Sequence, residues 1–397
     1  MIISDNLPSV ITAPTTRTLS YQELDILHCL RGFCAFYVVV YHAKYILWSG
    51  GQEYLVAFPR ATWAAWQYFA FVMDMLSSAG YEMVIFFFVL SGFFIRYAQL
   101  RKHRVLGAFY LNRVTRIYPP YLFSIVLAIS VLLIIAHWVP QMLAVTINRE
   151  LNTALLTARN DLYQFNLLGL LRTLLFLPAE GRVYIGYNSV YWSLLPEALF
   201  YAVVPLAFWR IRAYYIISIT LYFLGIATKV LHYGQDGIFD FMLTYNFYFA
   251  VGAVLHDMVV RTEWLIWTRK MPGWLLGITA LILFVILIPL ALLKLKILSG
   301  LIAVLLAVLA VSTLLAGRVS QRNILLRIFH PIGIFSFSLY LYHFPLLILC
   351  SGLLTMLTGN LIFYSRYYWL AIPLVTLVCY ILYWVTERVS VNFFRRI

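Results

Sequence analysis

Charge is what this sequence has least of: only 11% of its 397 residues are Asp, Glu, Lys or Arg, where a soluble domain carries about 25%. With 63% hydrophobic residues and a mean hydropathy of +0.87, that scarcity excludes a soluble globular protein and implies an integral membrane one. Acidic residues are scarcer than basic ones, 15 against 29. The resulting charge of +14 is scattered over short connections between apolar runs, the pattern of topology determinants, so nucleic acid is not an expected partner. Cysteine is sparse as well: Cys29, Cys34, Cys350 and Cys379 sit in or beside apolar runs without CxxC spacing, which argues against a disulfide frame or a metal site. There is no HExxH and no glycine-rich phosphate loop, so no metal or tightly bound cofactor is expected. Residues 1–25 are polar and lack a short apolar core with a small-residue cleavage site, so no removable signal peptide is expected.

What is present is a series of long apolar runs. Crossing about 30 Å of hydrocarbon takes roughly 20 residues, and runs of that kind lie near 26–48, 80–99, 117–139, 190–209, 212–229, 238–257, 273–293, 297–316, 328–354 and 369–390. The expected fold is therefore all-α and polytopic, with about ten transmembrane helices. Residues 1–25 form a polar N-terminal segment and 26–397 one transmembrane domain. The shorter apolar pieces near 61–76 and 165–178 read as interfacial or re-entrant. Orientation follows Lys and Arg: one side holds Arg96, Arg101, Lys102, Arg104, Arg113 and Arg116, then Arg210 and Arg212, then Arg261, Arg269 and Lys270, then Arg318, Arg322 and Arg327, then Arg388, Arg395 and Arg396. Arg149, Arg159, Arg172 and Arg182 are spread through one long segment on the other side, and Lys294 and Lys296 in a tight turn are a local objection. Both termini are accordingly expected in the cytoplasm.

Ionisable groups inside a membrane are costly and usually functional. The first run carries two, Arg31 and His42, separated by ten mostly apolar residues. Eleven helical steps make about three turns, so the two side chains share one face, roughly 16 Å apart in depth. Histidine suits proton transfer near neutral pH; His42 could take a proton from an acceptor hydroxyl or become transiently acylated. A basic anchor and a hydrogen-bonded interior histidine are the plainer readings of the same pair. Glu197, in Tyr191-Trp192-Ser193-Leu194-Leu195-Pro196-Glu197, needs a partner at membrane depth. Counted down from the outer side it reaches about the level of His42, where it could orient the imidazole as the acid does in a nucleophile–His–acid array. A packing hydrogen bond to Tyr or Trp would also satisfy it.

Three further stretches stand out. Ser91 and Gly92, in Phe86-Phe87-Phe88-Val89-Leu90-Ser91-Gly92, suit close helix packing or a site wall. Arg113 and Arg116 are three apart below the third run, on one helical face, and paired guanidinium groups suit phosphate recognition or headgroup contact. Tyr340-Leu341-Tyr342-His343-Phe344-Pro345 holds another deep histidine, suited to site lining or to a structural bond. His28, His137, His232, His256 and His330 lie near run ends and are expected to be solvated.

Taken together and in this order, these features resemble the acyltransferase 3 family of bacterial membrane O-acyltransferases. The residues that carry the resemblance are Arg31 and His42, Phe87 to Gly92, Arg113 and Arg116 before Ile117 and Pro119, Trp192-Ser193-Leu194 with Glu197, Phe200 and Tyr201, Tyr340 to Pro345, and Glu387-Arg388. The sequence departs from the family pattern at Ile85, where an acidic residue is frequent, and at Asn112, Pro196 and Val389. The resemblance implies transfer of an acyl group, usually acetyl, from cytoplasmic acyl-CoA to a hydroxyl of a surface or lipid-linked polysaccharide, in the bacterial inner membrane. It implies that Arg31 and His42 are the essential pair, that Arg113 and Arg116 face the donor and that Glu197 supports the site; the expected catalytic residues are thus Arg31, His42 and Glu197, with Ser91 added at the donor site and Trp192, Tyr340 and His343 as site lining from the residues themselves. Acyl-CoA would then be a substrate, and glycan and membrane lipid the other partners. A transporter of a lipid-linked sugar or small solute, without acyl chemistry, is the rival reading. The absence of a convincing internal repeat counts against it.

Overall fold

The computed structural model describes residues 17–47, 55–56, 58–101, 106–144, 150–164, 167–178, 183–231, 238–320, 322–361 and 365–395. Lys102, Arg104, Arg149, Arg182, His232 and Arg396 lie outside the described residues, as does most of the polar N-terminal segment. The described chain is helical, with no strand, and ten stretches are long and apolar enough to cross a membrane. Their helices are α1 (His28–Leu47), α2 (Gly80–Arg101), α3 (Leu106–Trp138), α4 (Leu194–Trp209), α5 (Ile211–Val230), α6 (Asn246–Arg261), α7 (Gly273–Leu292), α8 (Lys296–Leu315), α9 (Ser336–Thr358) and α10 (Ser365–Val385).

Burial separates centre from rim. In α9 67% of the apolar window is buried, in α7 only 17%. A helix apolar on all sides has no preferred inward face, so α7 can stand in lipid on most of its circumference. α1 runs through the middle, packed against α2, α9, α10 and a short helix, Ile324–Ile334. Glycines make the closest of these approaches possible. A Cβ on Gly32 would lie 1.9 Å from the Phe329 carbonyl oxygen, and one on Gly92 2.0 Å from that of Phe249. Where apolar burial cannot drive association, such small-residue contacts do.

Several boundaries differ from the sequence reading. α3 begins at Leu106 rather than near 117 and runs through Pro119 and Pro120, so Arg113 and Arg116 stand on the membrane helix itself. The run expected over 328–354 is two helices that break at Phe335. At that break the Glu387 carboxylate accepts from the Ser338 amide (3.1 Å) and hydroxyl (2.7 Å), capping the start of α9 from the helix Glu387–Arg395. The pieces near 61–76 and 165–178 form the short helices Ala65–Leu76 and Leu167–Leu174. His256, expected to be solvated, is only 2% exposed. It lies beside an ion pair in which Arg96 holds Asp257 through two bonds of 2.8 and 3.0 Å.

The segment before α4 decides where the site lies. Residues 184–188 are buried without being helical, and a short 3-10 turn, Ser189–Ser193, follows. Irregular backbone is tolerated at membrane depth only inside protein. Gly186 (φ 79°) and Tyr187 (φ 56°) both adopt the left-handed conformation, and a Cβ at Gly186 would meet the Ile129 backbone nitrogen at 2.7 Å. At position 186 the chain thus passes against α3 where only glycine fits.

Candidate active site

A cavity of about 710 Å³ opens at the end of the bundle where Tyr21 and Asn392 lie. Tyr21, Asp25, Arg388 and Asn392 stand at its mouth, and Val84, Phe87, Ser193 and Tyr340 line its inner end. Along α2 the lining runs from Ala98 to Val84, about 21 Å of helix. Its charged residues are mixed: Arg31, Arg113, Arg116 and Arg388 against Asp25, Glu197 and Glu387.

Within this cavity Arg31 stands in electrostatic reach of Arg116, Glu387 and Glu197. Neither the Arg31 nor the Arg116 side chain forms a hydrogen bond with any described residue, so two guanidinium forks face the space with donors to spare. Arg113 is buried and lies over the rings of Phe109 (5.5 Å) and Tyr201 (5.2 Å). Tyr201 in turn donates its hydroxyl hydrogen bond to Glu197. Ser91 lines the wall, and its neighbour Gly92 supplies the close contact to α6.

The inner end is closed by a hydrogen-bonded pair. The Tyr340 hydroxyl meets Ser193 Oγ at 2.7 Å and the Val190 carbonyl oxygen at 3.0 Å. Beyond it lie the histidines. His42 Nδ1 and His343 Nε2 are 2.9 Å apart, and their rings stack with centroids at 5.1 Å. His343 is fully buried, with its ring 6.1 Å from that of Tyr340; neither histidine lines the cavity.

The expected pairing of His42 with Glu197 is not formed. Glu197 lies with Arg31 in the cavity, and His343 takes the place at His42 that the sequence reading assigned to the acid. The cause is the threaded segment before α4. Irregular chain advances as much as about 3.3 Å per residue, against 1.5 Å in a helix, and the buried residues 184–188 bring the chain inside the bundle before the turn at Ser189, so a count that began at the outer surface near residue 190 placed Glu197 too near the outer side. Trp192, expected to line the site, instead stacks on Tyr81 (5.6 Å) and approaches Tyr245 (5.7 Å), away from the cavity.

Three groups around the site were not singled out in sequence. Ser124 and Asn188 both donate to the Leu341 carbonyl oxygen, each at 2.9 Å. That carbonyl is free because Pro345, four residues on, has no N–H to offer it; the proline in the motif was the available signal. Glu387, known only from the resemblance, caps α9.

A family model described as an acyltransferase domain matches residues 24–384, nearly the whole chain. The chain belongs to the acyltransferase 3 family. It is therefore a multi-pass membrane acyltransferase, transferring groups other than aminoacyl, and the transporter reading is set aside. No curated protein and no solved structure matches the acyltransferase.

Proposed function

We propose that this acyltransferase moves an acyl group, most simply acetyl, from acyl-CoA in the cytoplasm to a hydroxyl of a surface or lipid-linked polysaccharide in the bacterial inner membrane. The observation that carries the reading is the cavity: large enough for an extended donor, lined at mid-depth by Arg31 and Arg116 with unused donors, and ending one helical turn from His343. Charge-assisted bonds from such forks suit phosphate oxygens. The many Lys and Arg at this end support its placement in the cytoplasm. Arg31, Arg113 and Arg116 then hold the donor's phosphates, while its thioester extends along Ser91 toward Tyr340.

In this scheme the acceptor reaches His42 from the other side of the Tyr340–Ser193 closure. The sugar oxygen attacks the thioester carbonyl, its proton passes to His42, and the departing thiolate carries away the C–S electron pair and is then protonated. Glu197 acts on the donor side, balancing the arginines. The test is acetyl transfer by purified protein in lipid nanodiscs from labelled acetyl-CoA to isolated cell-surface glycan. Label in the glycan with matching release of free CoA is the expected result, lost in His42→Ala. Glycan label undiminished in His42→Ala, or none with the wild type, refutes the reading.

A further inference from the structure

The hydrogen bonds at the histidine pair fix where its protons lie. His343 Nδ1 stands 2.8 Å from the Leu339 carbonyl oxygen. A carbonyl oxygen can only accept, so Nδ1 carries the proton and Nε2 of the neutral ring bears a lone pair. That Nε2 is the atom facing His42 Nδ1 at 2.9 Å, so in the neutral pair His42 must donate through Nδ1. The remaining nitrogen, His42 Nε2, is then unprotonated and makes no hydrogen bond with any described residue. Free imidazole prefers the opposite tautomer by a small margin, so the arrangement needs His343 in place.

We infer that His343 is a positioning residue that holds His42 in the Nδ1–H tautomer, presenting Nε2 as the base in the proposed acyl transfer. It does the work that an acid performs in a nucleophile–His–acid array, with one difference. A neutral imidazole accepts the Nδ1–H bond without bringing a negative charge into the membrane, so no buried ion pair has to be maintained while the enzyme waits for substrate. When His42 takes the acceptor's proton at Nε2, Nδ1–H stays bonded to His343 and the positive charge is shared between two stacked rings. The titratable side chains in contact with His42 among the described residues are His343 and, edge-on at 5.1 Å, Tyr41. His343 is itself held by its Leu339 bond and by the packing of α9 against α1.

The inference rests on the proposed function for the role of the base, and not for the tautomer itself. The experiment therefore reads both. In protein with ¹⁵N-labelled histidine in nanodiscs, His42 signals are identified by their loss in His42→Gln. Near neutral pH they should report a protonated Nδ1 in the wild type, a shift to protonated Nε2 in His343→Phe, and a return to Nδ1–H in His343→Gln, whose amide oxygen can accept the bond. In parallel, kcat for acetyl transfer should fall about 100-fold in His343→Phe, the scale of a general base. KM for acetyl-CoA should change less than about threefold and the Gln variant should regain most of kcat, because the cavity does not include His343. A wild-type His42 protonated at Nε2, or a tautomer unchanged in His343→Phe, overturns the inference. So does a His343→Phe protein whose KM rises as its kcat falls, without rescue by Gln. If no variant, including the wild type, transfers acetyl, the proposed function fails while the ¹⁵N result still judges the tautomer.

Discussion

The Leu341 carbonyl offers a perturbation whose outcome can be worked out in advance. In an uninterrupted α-helix its partner would be the amide of residue 345, which is proline. Ser124 and Asn188 replace that bond, each at 2.9 Å, and all three residues are fully buried. Removing one donor leaves the other, so Asn188→Ala should cost about 1 kcal/mol, the net worth of a typical bond, and Ser124→Ala about 1–3 kcal/mol because the buried Tyr191 hydroxyl also loses its partner. Removing both strands a buried carbonyl, which costs about 1–3 kcal/mol more than the sum of the singles. Pro345→Ala returns an amide to the helix ladder, and in that background the excess should vanish. Equilibrium unfolding in mixed micelles, read by near-ultraviolet circular dichroism across both mutant cycles, measures the difference directly. A coupling that is equal with and without Pro345, or one below about 0.5 kcal/mol in the wild-type background, would refute the reasoning.

Other outcomes follow from the same structure. Asp257→Ala strands Arg96, only 4% exposed, and should cost about 3–5 kcal/mol, whereas Arg96→Met with Asp257→Leu should recover most of it; unfolding midpoints of the three proteins check this. Gly92→Leu should cost about 3 kcal/mol or more by forcing α2 from the Phe249 carbonyl, while Gly107→Ala, with open space around its Cβ, should be neutral or stabilise by up to about 1 kcal/mol. On the donor reading, Arg116→Gln should raise KM for acetyl-CoA about 10- to 100-fold, the equivalent of one charged bond, with kcat nearly unchanged in steady-state assays.

Ten apolar runs were legible because membrane thickness fixes helix length, and each expected run overlaps a helix of the structure. What failed were ends set by tertiary contacts. Around Phe335 the signals Pro331, Gly333 and Ser336 are outweighed by the long apolar run, and the contact that holds the break, a carboxylate from Glu387 some fifty residues on reaching the amide of Ser338, cannot be read locally. The start of α3 at Leu106 was hidden because Arg113 and Arg116 look like loop charges in a hydropathy window, yet both extend from a helix into a polar cavity. His256 read as solvated because it is near a helix end, but the Arg96–Asp257 pair and the ring of Phe93 at 5.3 Å enclose it.

The candidate site shows a sharper division. That Arg31 and His42 share a helix was readable from spacing alone, since both lie within one regular element and each step is fixed. The depth of Glu197 was not, because the count began near residue 190 as if at the surface, whereas the buried, non-helical residues 184–188 already bring the chain inside before the turn at Ser189. This error has a chemical consequence. A carboxylate beside His42 would place a charged couple there and leave the arginines of the cavity with only Asp25 and Glu387. With Glu197 instead bonded by Tyr201 and in electrostatic reach of Arg31, the acidic group stands among the arginines of the cavity and not beside the histidine pair. The arginines of the cavity and His42 therefore do not compete for the acid, and on the donor reading the two halves of the site act separately. Glu197→Gln should accordingly weaken retention of donor in the cavity and leave the His42 tautomer as it is, measured by acetyl-CoA KM and by ¹⁵N spectra of the same protein. A His42 tautomer that changes in Glu197→Gln would show that the two are coupled after all, and the separation argued from the threaded segment would be wrong.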